Sequence, residues 1–332
     1  MGSLVEETVD RLTPLHVSVV VAAVAGGSTE IRGAGQAGTA PGTLFEIGSV
    51  TKVFTALTLA RLAGQGVVGL DEPLAALLPE GTRVPSRDGK EITLRQLASH
   101  TSGLPRLPKG MLLQALLRPS KPDPYAGCTA EFLLTGLAAT RLGATPGHRF
   151  RYSNLGAGLL GLALAHRAGT DYETLVVREI CTPLGMTDTG VADGRARLVR
   201  GHDRRRRPVP PWHLAGLAGA GGLRSTAADL VTFVRAHLAP DSSAIGEAIR
   251  LSRQSEHRIN SFAWIHLGWM GQRSHERQGG GLQIWHNGRT GGFSSFVGFD
   301  PEKEVGVVVL GNTRQPVDRP ALDLLRRLGS AR

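Results

Sequence analysis

The sequence is poor in the residues that build disulfide networks and metal clusters. Its 332 residues include two cysteines, three tyrosines and four tryptophans. Cys128 and Cys181 lie far apart without metal-ligand spacing around them, so we expect two buried thiols rather than a disulfide framework or a zinc site. No apolar run reaches 18 residues, so we expect no membrane-spanning helix and no membrane partner.

Motifs that mark several other enzyme classes are also absent. There is no Gly-x-Ser-x-Gly elbow, no Walker phosphate loop and no His-Glu-x-x-His motif, which argues against α/β-hydrolases, P-loop enzymes and zincins. Residues 33–38 match Gly-x-Gly-x-x-Gly, but no helix start follows at 39–42. A pyrophosphate would find no helix dipole there, so we interpret the segment as a hairpin loop and expect no cofactor and no metal.

Length and composition favour one large unit with a substantial core. The chain is 41% hydrophobic, enough for a single two-lobed catalytic unit over residues 1–332. We predict an α/β (α+β) fold, with an antiparallel sheet flanked by helices and a mostly helical insert lobe. The α/β lobe would comprise about 1–70 and 251–332, and the helical lobe about 71–250.

The hydrophobic periodicity predicts individual elements of this fold. We predict strands at 16–24, 28–33 and 43–48, and a ladder of strands between 262 and 310. We predict helical segments at 53–62, 112–117, 130–140, 155–167, 227–238 and 318–328.

The first strand needs separate comment, because residues 17–25 are apolar and end like a signal-peptide cleavage site. They follow Glu6, Glu7 and Asp10, with Arg11 as the only nearby cation, whereas a secretory leader begins with positive charge. We therefore interpret 17–25 as a core strand and expect a cytoplasmic protein.

The formal net charge is +10, and seven arginines fall between 195 and 207. No aromatic residue separates these arginines and no nucleic-acid-binding fold is recognisable, so we interpret the run as a solvated loop and expect no nucleic-acid partner. A second hypothesis places Arg204 to Arg207 beside the cleft, where they would attract an anionic substrate.

Ser49 and Lys52 form the most informative pair in the chain. They lie three residues apart where the predicted strand 43–48 gives way to the apolar helix 53–62, so one helical turn places both side chains on one face. A desolvated lysine with a lowered pKa can remove the proton from a serine hydroxyl during attack on an acyl carbon. The pair predicts a nucleophile and its base.

Two further segments supply groups that such a pair needs. Tyr152 and Asn154 lie in a loop before the helix at 155–167, where the phenol can pass a proton to a leaving group and the amide can orient Lys52 or the substrate. The strand entering at 282 carries His286, Asn287, Gly288 and Arg289. Its glycines leave a backbone edge against which a substrate can lie as an added strand.

Together these segments resemble the serine beta-lactamase and penicillin-binding-protein superfamily, in the branch of class C beta-lactamases, D,D-carboxypeptidases and family VIII esterases. Segments 94–105, 221–230 and 290–312 share the resemblance. It implies that Ser49 is acylated, that Lys52 and Tyr152 share proton transfer, and that Asn154 holds the geometry. It also implies an oxyanion hole made by the backbone N–H groups of Ser49 and Arg289.

The sequence departs from this family pattern at the facing strand. Penicillin-recognising members have Lys-Thr-Gly where this chain has His286, Asn287 and Gly288. A histidine with an ordinary pKa is mostly neutral at pH 7, so attraction for a substrate carboxylate is weaker. The direction of the Arg289 side chain, which would restore the charge, is left open by strand alternation.

We therefore predict a serine hydrolase or acyltransferase with Ser49, Lys52 and Tyr152 as catalytic residues and Asn154, His286, Asn287, Gly288 and Arg289 as substrate-binding residues. The substrate would be a small acyl compound, most simply an ester. One alternative is a class C-type beta-lactamase or D,D-carboxypeptidase. Another is a non-catalytic ligand-binding or scaffold protein on the same fold.

Overall fold

An eight-stranded antiparallel sheet organises the structure, which is a computed structural model that describes residues 1–36, 39–111, 123–191, 197–254, 256–274 and 280–331. The strand order is β2-β1-β12-β11-β10-β9-β8-β7. Its strands are β1 Ser18–Ala25, β2 Ser28–Gly35, β7 His257–Arg258, β8 Ala263–Ile265, β9 Met270–Arg273, β10 Leu282–Arg289, β11 Ser294–Asp300 and β12 Val305–Gly311. Two small sheets pair β3 Phe45–Glu46 with β6 Arg224–Ser225, and β4 Gly201–His202 with β5 Pro208–Val209.

Helices cover both faces of the main sheet. They are α1 Gly2–Leu12, α2 Thr51–Gly64, α3 Leu94–Ala98, α4 Ala130–Ala138, α5 Asn154–Arg167, α6 Tyr172–Val176, α7 Thr182–Leu184, α8 Ala218–Gly221, α9 Ala227–Leu238, α10 Ala244–Gln254 and α11 Asp318–Ser330. Short 3-10 turns occupy Gly48–Val50, Leu74–Leu77 and Ala215–Leu217, and a π-helical turn spans Val177–Cys181.

Strand β1 shows why the sheet lies in the interior. Successive side chains of a strand point to opposite faces, and here Val20 and Ala22 join the core that contains α2, whereas Val19 and Val21 pack with α1 and α11. Both faces are thus covered by apolar side chains. The stretch that resembles a leader in sequence is a fully integrated core strand.

Helix α2 is buried almost all round, as its apolar sequence predicts. Every residue from Thr51 to Ala60 is buried, and so is Leu62. The helix lies between the sheet and the helical layer, where it packs against α10, α8 and α5. Its first turn therefore carries Lys52 into the centre of the molecule.

The predicted fold class is confirmed, and most predicted elements lie where the periodicity placed them. The predicted strand at 43–48 is wrong in length, because the strand spans only Phe45–Glu46 and Gly48 already begins a tight turn. The predicted hairpin loop at 33–38 is wrong for its first residues, since β2 continues to Gly35. The predicted helix at 112–117 lies outside the described residues, and the division into two lobes stays a prediction.

The structure also describes the two cysteines, the length of the helices and the grouping of metal-binding side chains. Cys128 and Cys181 are both free and buried. No helix within the described ranges has the length and apolar character needed to cross a membrane. Among the described residues, no three or more His, Cys, Asp or Glu side chains are grouped so that they could hold a metal ion.

Several arginines of the arginine-rich segment make internal contacts through their side chains. The Arg207 guanidinium lies 2.7 Å from an Asp203 carboxylate oxygen, and Arg206 donates to the main-chain carbonyl of His16 at 2.8 Å. Arg197 pairs with Asp188, and Arg195 lies outside the described residues. These contacts occupy donors of Arg206 and Arg207, whereas the side chains of Arg204 and Arg205 are exposed, and the anionic-substrate hypothesis stays a prediction.

Candidate active site

The turn between β3 and α2 fixes the position of Ser49. Gly48 has a positive φ of 49°, and a Cβ there would lie 2.7 Å from the Arg289 nitrogen, so only glycine fits this approach. Nearby, Ser295 donates its hydroxyl proton to the Ile47 carbonyl at 2.7 Å. The start of α2 is thereby held against the end of β10, with Ser49 in between.

The Lys52 amine lies next to the Ser49 hydroxyl in a dry environment. Its Nζ is 2.8 Å from Ser49 Oγ and 2.5 Å from the Ala220 carbonyl oxygen, and Lys52 is 3% exposed. Burial, followed by the charge of Arg106, lowers the pKa of the Lys52 amine well below its usual value. A neutral amine at this distance can accept the serine proton.

Tyr152 covers this pair from the opposite side of the cleft. The Lys52 Nζ lies 5.0 Å from the centroid of the Tyr152 ring. Burial raises the pKa of the Tyr152 hydroxyl to about 12, although a hydrogen bond with Ser49 and the charge of Arg106 act in the opposite direction. The phenol therefore stays protonated at neutral pH and can donate a proton beside the serine.

The first turn of α5 holds Tyr152 and Asn154 in place. Ser153 is the N-cap, and its Oγ accepts a hydrogen bond from the Gly156 N–H at 2.8 Å while donating to the Pro105 carbonyl at 2.6 Å. The Asn154 N–H donates to the Arg106 carbonyl at 2.9 Å. The loop before α5 is thus fastened to the segment that follows α3.

His100 supports the Tyr152 ring and was not predicted from the sequence. It has a positive φ of 56°, its ring centroid lies 4.5 Å from that of Tyr152, and its Nδ1 accepts the Ser153 N–H at 3.3 Å. Burial lowers the pKa of His100 well below its usual value, and nearby positive charge adds to the effect. The segment 94–105 was recognised only through its family resemblance, which assigned no role to this histidine.

Strand alternation divides the four predicted residues of β10 between two faces of the sheet. His286 and Gly288 face the core that contains α2: a Cβ at Gly288 would lie 2.0 Å from the Ile47 oxygen. Asn287 instead donates its side-chain amide to Asp318 at 2.6 Å, and the Arg289 guanidinium lies 3.6 Å from the same carboxylate. The structure therefore does not bring the Asn287 and Arg289 side chains to Ser49.

His286 lies near the reacting groups without carrying charge. Its ring centroid is 6.4 Å from that of Tyr152, and Nδ1 lies 2.7 Å from the Asn287 carbonyl. Because a carbonyl only accepts, Nδ1 carries the proton and Nε2 keeps a lone pair. Burial, and then the proximity of Lys52, lowers the pKa of His286 to about 3, so this slot of β10 is neutral.

A small cavity of about 30 Å³ adjoins Ser49. Tyr125, Trp212, Leu214 and Leu217 form much of its wall, with Asn154 and the Arg289 segment on other sides. The Tyr125 and Trp212 ring centroids are 4.9 Å apart. The small volume and the aromatic and aliphatic side chains of this wall favour a small acyl group over a bulky one.

One buried carboxylate connects the two loops that carry these aromatic rings. Asp123 accepts the Tyr125 N–H at 2.9 Å and the His213 N–H at 2.6 Å. Asn154 reaches the same wall through a hydrogen bond with Tyr125, while its Oδ1 is buried without a partner among the described residues. Sequence reasoning missed Asp123, Tyr125 and Trp212, because no spacing joins loops so distant along the chain.

The chain is similar to known proteins in sequence. The sequence profile of the family described as Beta-lactamase matches residues 8–331. The D-alanyl-D-alanine-carboxypeptidase/endopeptidase AmpH of Escherichia coli is 32% identical over 289 residues, which cover 83% of this chain and 72% of AmpH.

Solved structures share the fold over nearly the whole length. A beta-lactamase/D-alanine carboxypeptidase from Yersinia pestis, complexed with citrate, has a TM-score of 0.80 at 26% identity, with 99% of this chain and 98% of that chain covered. A class C beta-lactamase has a TM-score of 0.82 at 22% identity, with 99% and 97% covered.

Proposed function

The chain belongs to the beta-lactamase family and is a serine hydrolase, and we propose that it cleaves small carboxylic esters through an acyl-enzyme on Ser49. The observation that carries the proposal is the 2.8 Å contact between the buried Lys52 amine and the Ser49 hydroxyl. An alcohol becomes a competent nucleophile only when such a base lies within hydrogen-bonding distance.

In the proposed acylation, Lys52 takes the Ser49 proton as Oγ forms a bond to the acyl carbon. The carbonyl π electrons move onto oxygen, and the backbone N–H groups of Ser49 and Arg289 stabilise that charge. Collapse of the intermediate breaks the bond to the leaving oxygen. Tyr152 donates its proton to the departing alcohol and recovers one from Lys52.

Deacylation uses the same groups in reverse. Water enters, loses a proton to the Lys52–Tyr152 pair and attacks the ester carbon, after which Ser49 leaves as the alcohol. An acceptor alcohol or amine can replace water in this step, so hydrolysis and acyl transfer share one acyl-enzyme. Asn154 would orient the acyl group against the cavity wall.

Charge on β10 favours an ester over a substrate recognised by its carboxylate. His286 is neutral, because burial lowers its pKa to about 3, and the Arg289 guanidinium is directed to Asp318. A carboxylate placed beside this strand would gain little electrostatic stabilisation from either side chain. The aromatic and aliphatic wall of the small cavity beside Ser49, which includes Trp212, Leu214 and Leu217, supports a short acyl group.

A D,D-carboxypeptidase is the second candidate, because AmpH is named for that activity and is 32% identical to this chain. Turnover of p-nitrophenyl butyrate, nitrocefin and an N-acyl-D-Ala-D-Ala peptide distinguishes the possibilities. We expect ester hydrolysis to exceed the other two, with a fluorophosphonate probe attached to Ser49. Faster release of D-alanine or faster nitrocefin opening would replace the ester proposal by the corresponding alternative.

Ser49→Ala is the control for these assays. It should lose both probe labelling and turnover while its thermal unfolding remains cooperative, since it removes a single oxygen atom. A Ser49→Ala variant that keeps its ester turnover would exclude the proposed acyl-enzyme. An intact protein that neither reacts with the probe nor turns over any substrate would support the scaffold alternative.

A further inference from the structure

Arg106 is a cation beside the cleft that the proposed acyl transfer does not use. Its Cζ lies 5.1 Å from the centroid of the Tyr152 ring, and the residue is exposed. Its main-chain carbonyl accepts hydrogen bonds from the N–H groups of Asn154 and Leu155 at 2.9 and 3.2 Å. The backbone that carries the guanidinium is thereby attached to the helix start that positions Tyr152.

The guanidinium has no acidic partner in the part of the chain that the structure describes. Arg289, at the end of β10, differs in this respect, because its guanidinium lies beside Asp318. A guanidinium over an aromatic ring keeps its N–H donors free at the edge of its plane. Arg106 therefore presents a fixed positive charge with unused donors to whatever occupies the cleft mouth.

The charge of Arg106 acts on the site and on the cavity wall together. It adds to the effect of burial that lowers the pKa of Lys52, and it acts against the burial that raises the pKa values of Tyr152 and Tyr125. Of these side chains, Tyr125 lines the cavity beside Ser49, together with Asn154. The β10 side, by contrast, offers a neutral His286 and an Arg289 side chain that is paired with Asp318.

We infer that Arg106 binds a carboxylate at the far end of the acyl chain, so that half-esters of short dicarboxylic acids are preferred over neutral esters. This inference rests on the proposed acyl-enzyme at Ser49 and adds to it the charge of the acyl group. The acyl carbon lies at Ser49, the chain follows the wall formed by Tyr125 and Asn154, and its terminal carboxylate meets the guanidinium.

Two matched ligand pairs test this assignment. The first compares the p-nitrophenyl half-ester of glutarate with its neutral methyl ester, using kcat/KM. The second compares 3-carboxyphenylboronic acid with phenylboronic acid as competitors of fluorophosphonate labelling. The boronic acids bind a nucleophilic serine reversibly, so they report charge preference even when no ester is turned over.

Wild-type protein should favour the carboxylated member of each pair by about fivefold at low salt, as one exposed ion pair provides. Arg106→Gln should remove the preference, and Arg106→Lys should keep part of it because the charge remains. Arg32→Gln is the net-charge control: Arg32 is on β2, which β1, β12 and β11 separate from β10. Its ratios should match those of the wild type.

The ratio between ligands, rather than either rate, decides the outcome. A general weakening of the site by Arg106→Gln would lower both members of a pair and leave the ratio unchanged. Equal ratios in wild type and Arg106→Gln, in either assay that gives a signal, overturn the inference. Loss of ester turnover with an Arg106-dependent boronate preference would instead reject the ester proposal and retain this one.

Discussion

Replacing Lys52 with methionine should abolish turnover while making the fold more stable at neutral pH. In the unfolded chain a lysine has a pKa of about 10.4 and is protonated at pH 7, so a folded state that holds it neutral must release a proton. That release costs about 4–5 kcal/mol at pH 7. Methionine has a similar length and removes this cost.

The methionine also removes two contacts, to Ser49 Oγ and the Ala220 carbonyl. Losing them and leaving the carbonyl without a donor costs about 1–3 kcal/mol. The free energy of unfolding of the variant should therefore be about 1–4 kcal/mol higher than that of the wild type at pH 7. Its kcat/KM for an ester should fall by about 10³ or more, because the general base is gone.

The difference in unfolding free energy between Lys52→Met and the wild type should depend on pH, and this dependence reports the protonation of Lys52 directly. The folded-state pKa of Lys52 lies below its unfolded value, so unfolding takes up one proton between the two. The stability of the wild type then rises by about 1.4 kcal/mol per pH unit in that window, and this contribution is absent from Lys52→Met. Urea unfolding at pH 7, 8 and 9 should show the advantage of the variant shrinking by about 2.8 kcal/mol.

Lys90→Met is the matched control, since Lys90 is exposed. Its stability difference from the wild type should not change over the same pH range. A Lys52→Met difference that stays constant from pH 7 to 9 would show that the lysine is protonated in the folded state. In that case it could not act as the base for Ser49.

Three further predictions follow from the same structure. Gly48→Ala should reduce ester kcat/KM at least tenfold and destabilise the fold by about 1–3 kcal/mol. Gly64→Ala is the control and should leave activity unchanged, because a Cβ at Gly64 would have no atom within 4 Å. Equal effects of the two substitutions would contradict the close approach of Gly48 to β10. Tyr152→Phe should lower kcat about 10²-fold without changing the melting temperature by more than a few degrees, and wild-type kcat in this variant would remove the phenol from proton transfer. Burial lowers the pKa of His237 to about 3, so the stability that neutral His237 contributes is fully present above pH 6.5 and is lost as the pH falls. Between pH 8 and pH 5, the free energy of unfolding of His237→Phe should therefore rise by about 2 kcal/mol relative to that of the wild type. A stability difference between the two proteins that is the same in urea unfolding at both pH values would refute this.

Much of the fold follows from sequence pattern because its main elements are strongly periodic or uniformly apolar. The apolar run at the start of the chain became β1, whose two faces are both covered, and the uniformly apolar segment after Ser49 became α2. Where the pattern was short, it was less reliable. Within the predicted strand at 43–48, the strand itself spans only two residues, because Gly48 must turn the chain sharply toward α2.

The chemistry of the site divides along a similar line. A three-residue spacing at a helix start is local geometry, so the sequence alone determined that Ser49 and Lys52 lie side by side. It also determined which residues of β10 share a face, once the strand is known. It did not determine which face meets α2, and that choice directed Asn287 and Arg289 toward Asp318.

Protonation and recognition required the tertiary structure. The pKa of Lys52 depends on the removal of water by surrounding segments and on Arg106, which is more than fifty residues away in sequence. His100, Tyr125 and Trp212 reach the site on separate loops. Desolvation and Coulomb interactions depend on distances in space, whereas sequence spacing specifies distances only within a single helix or strand.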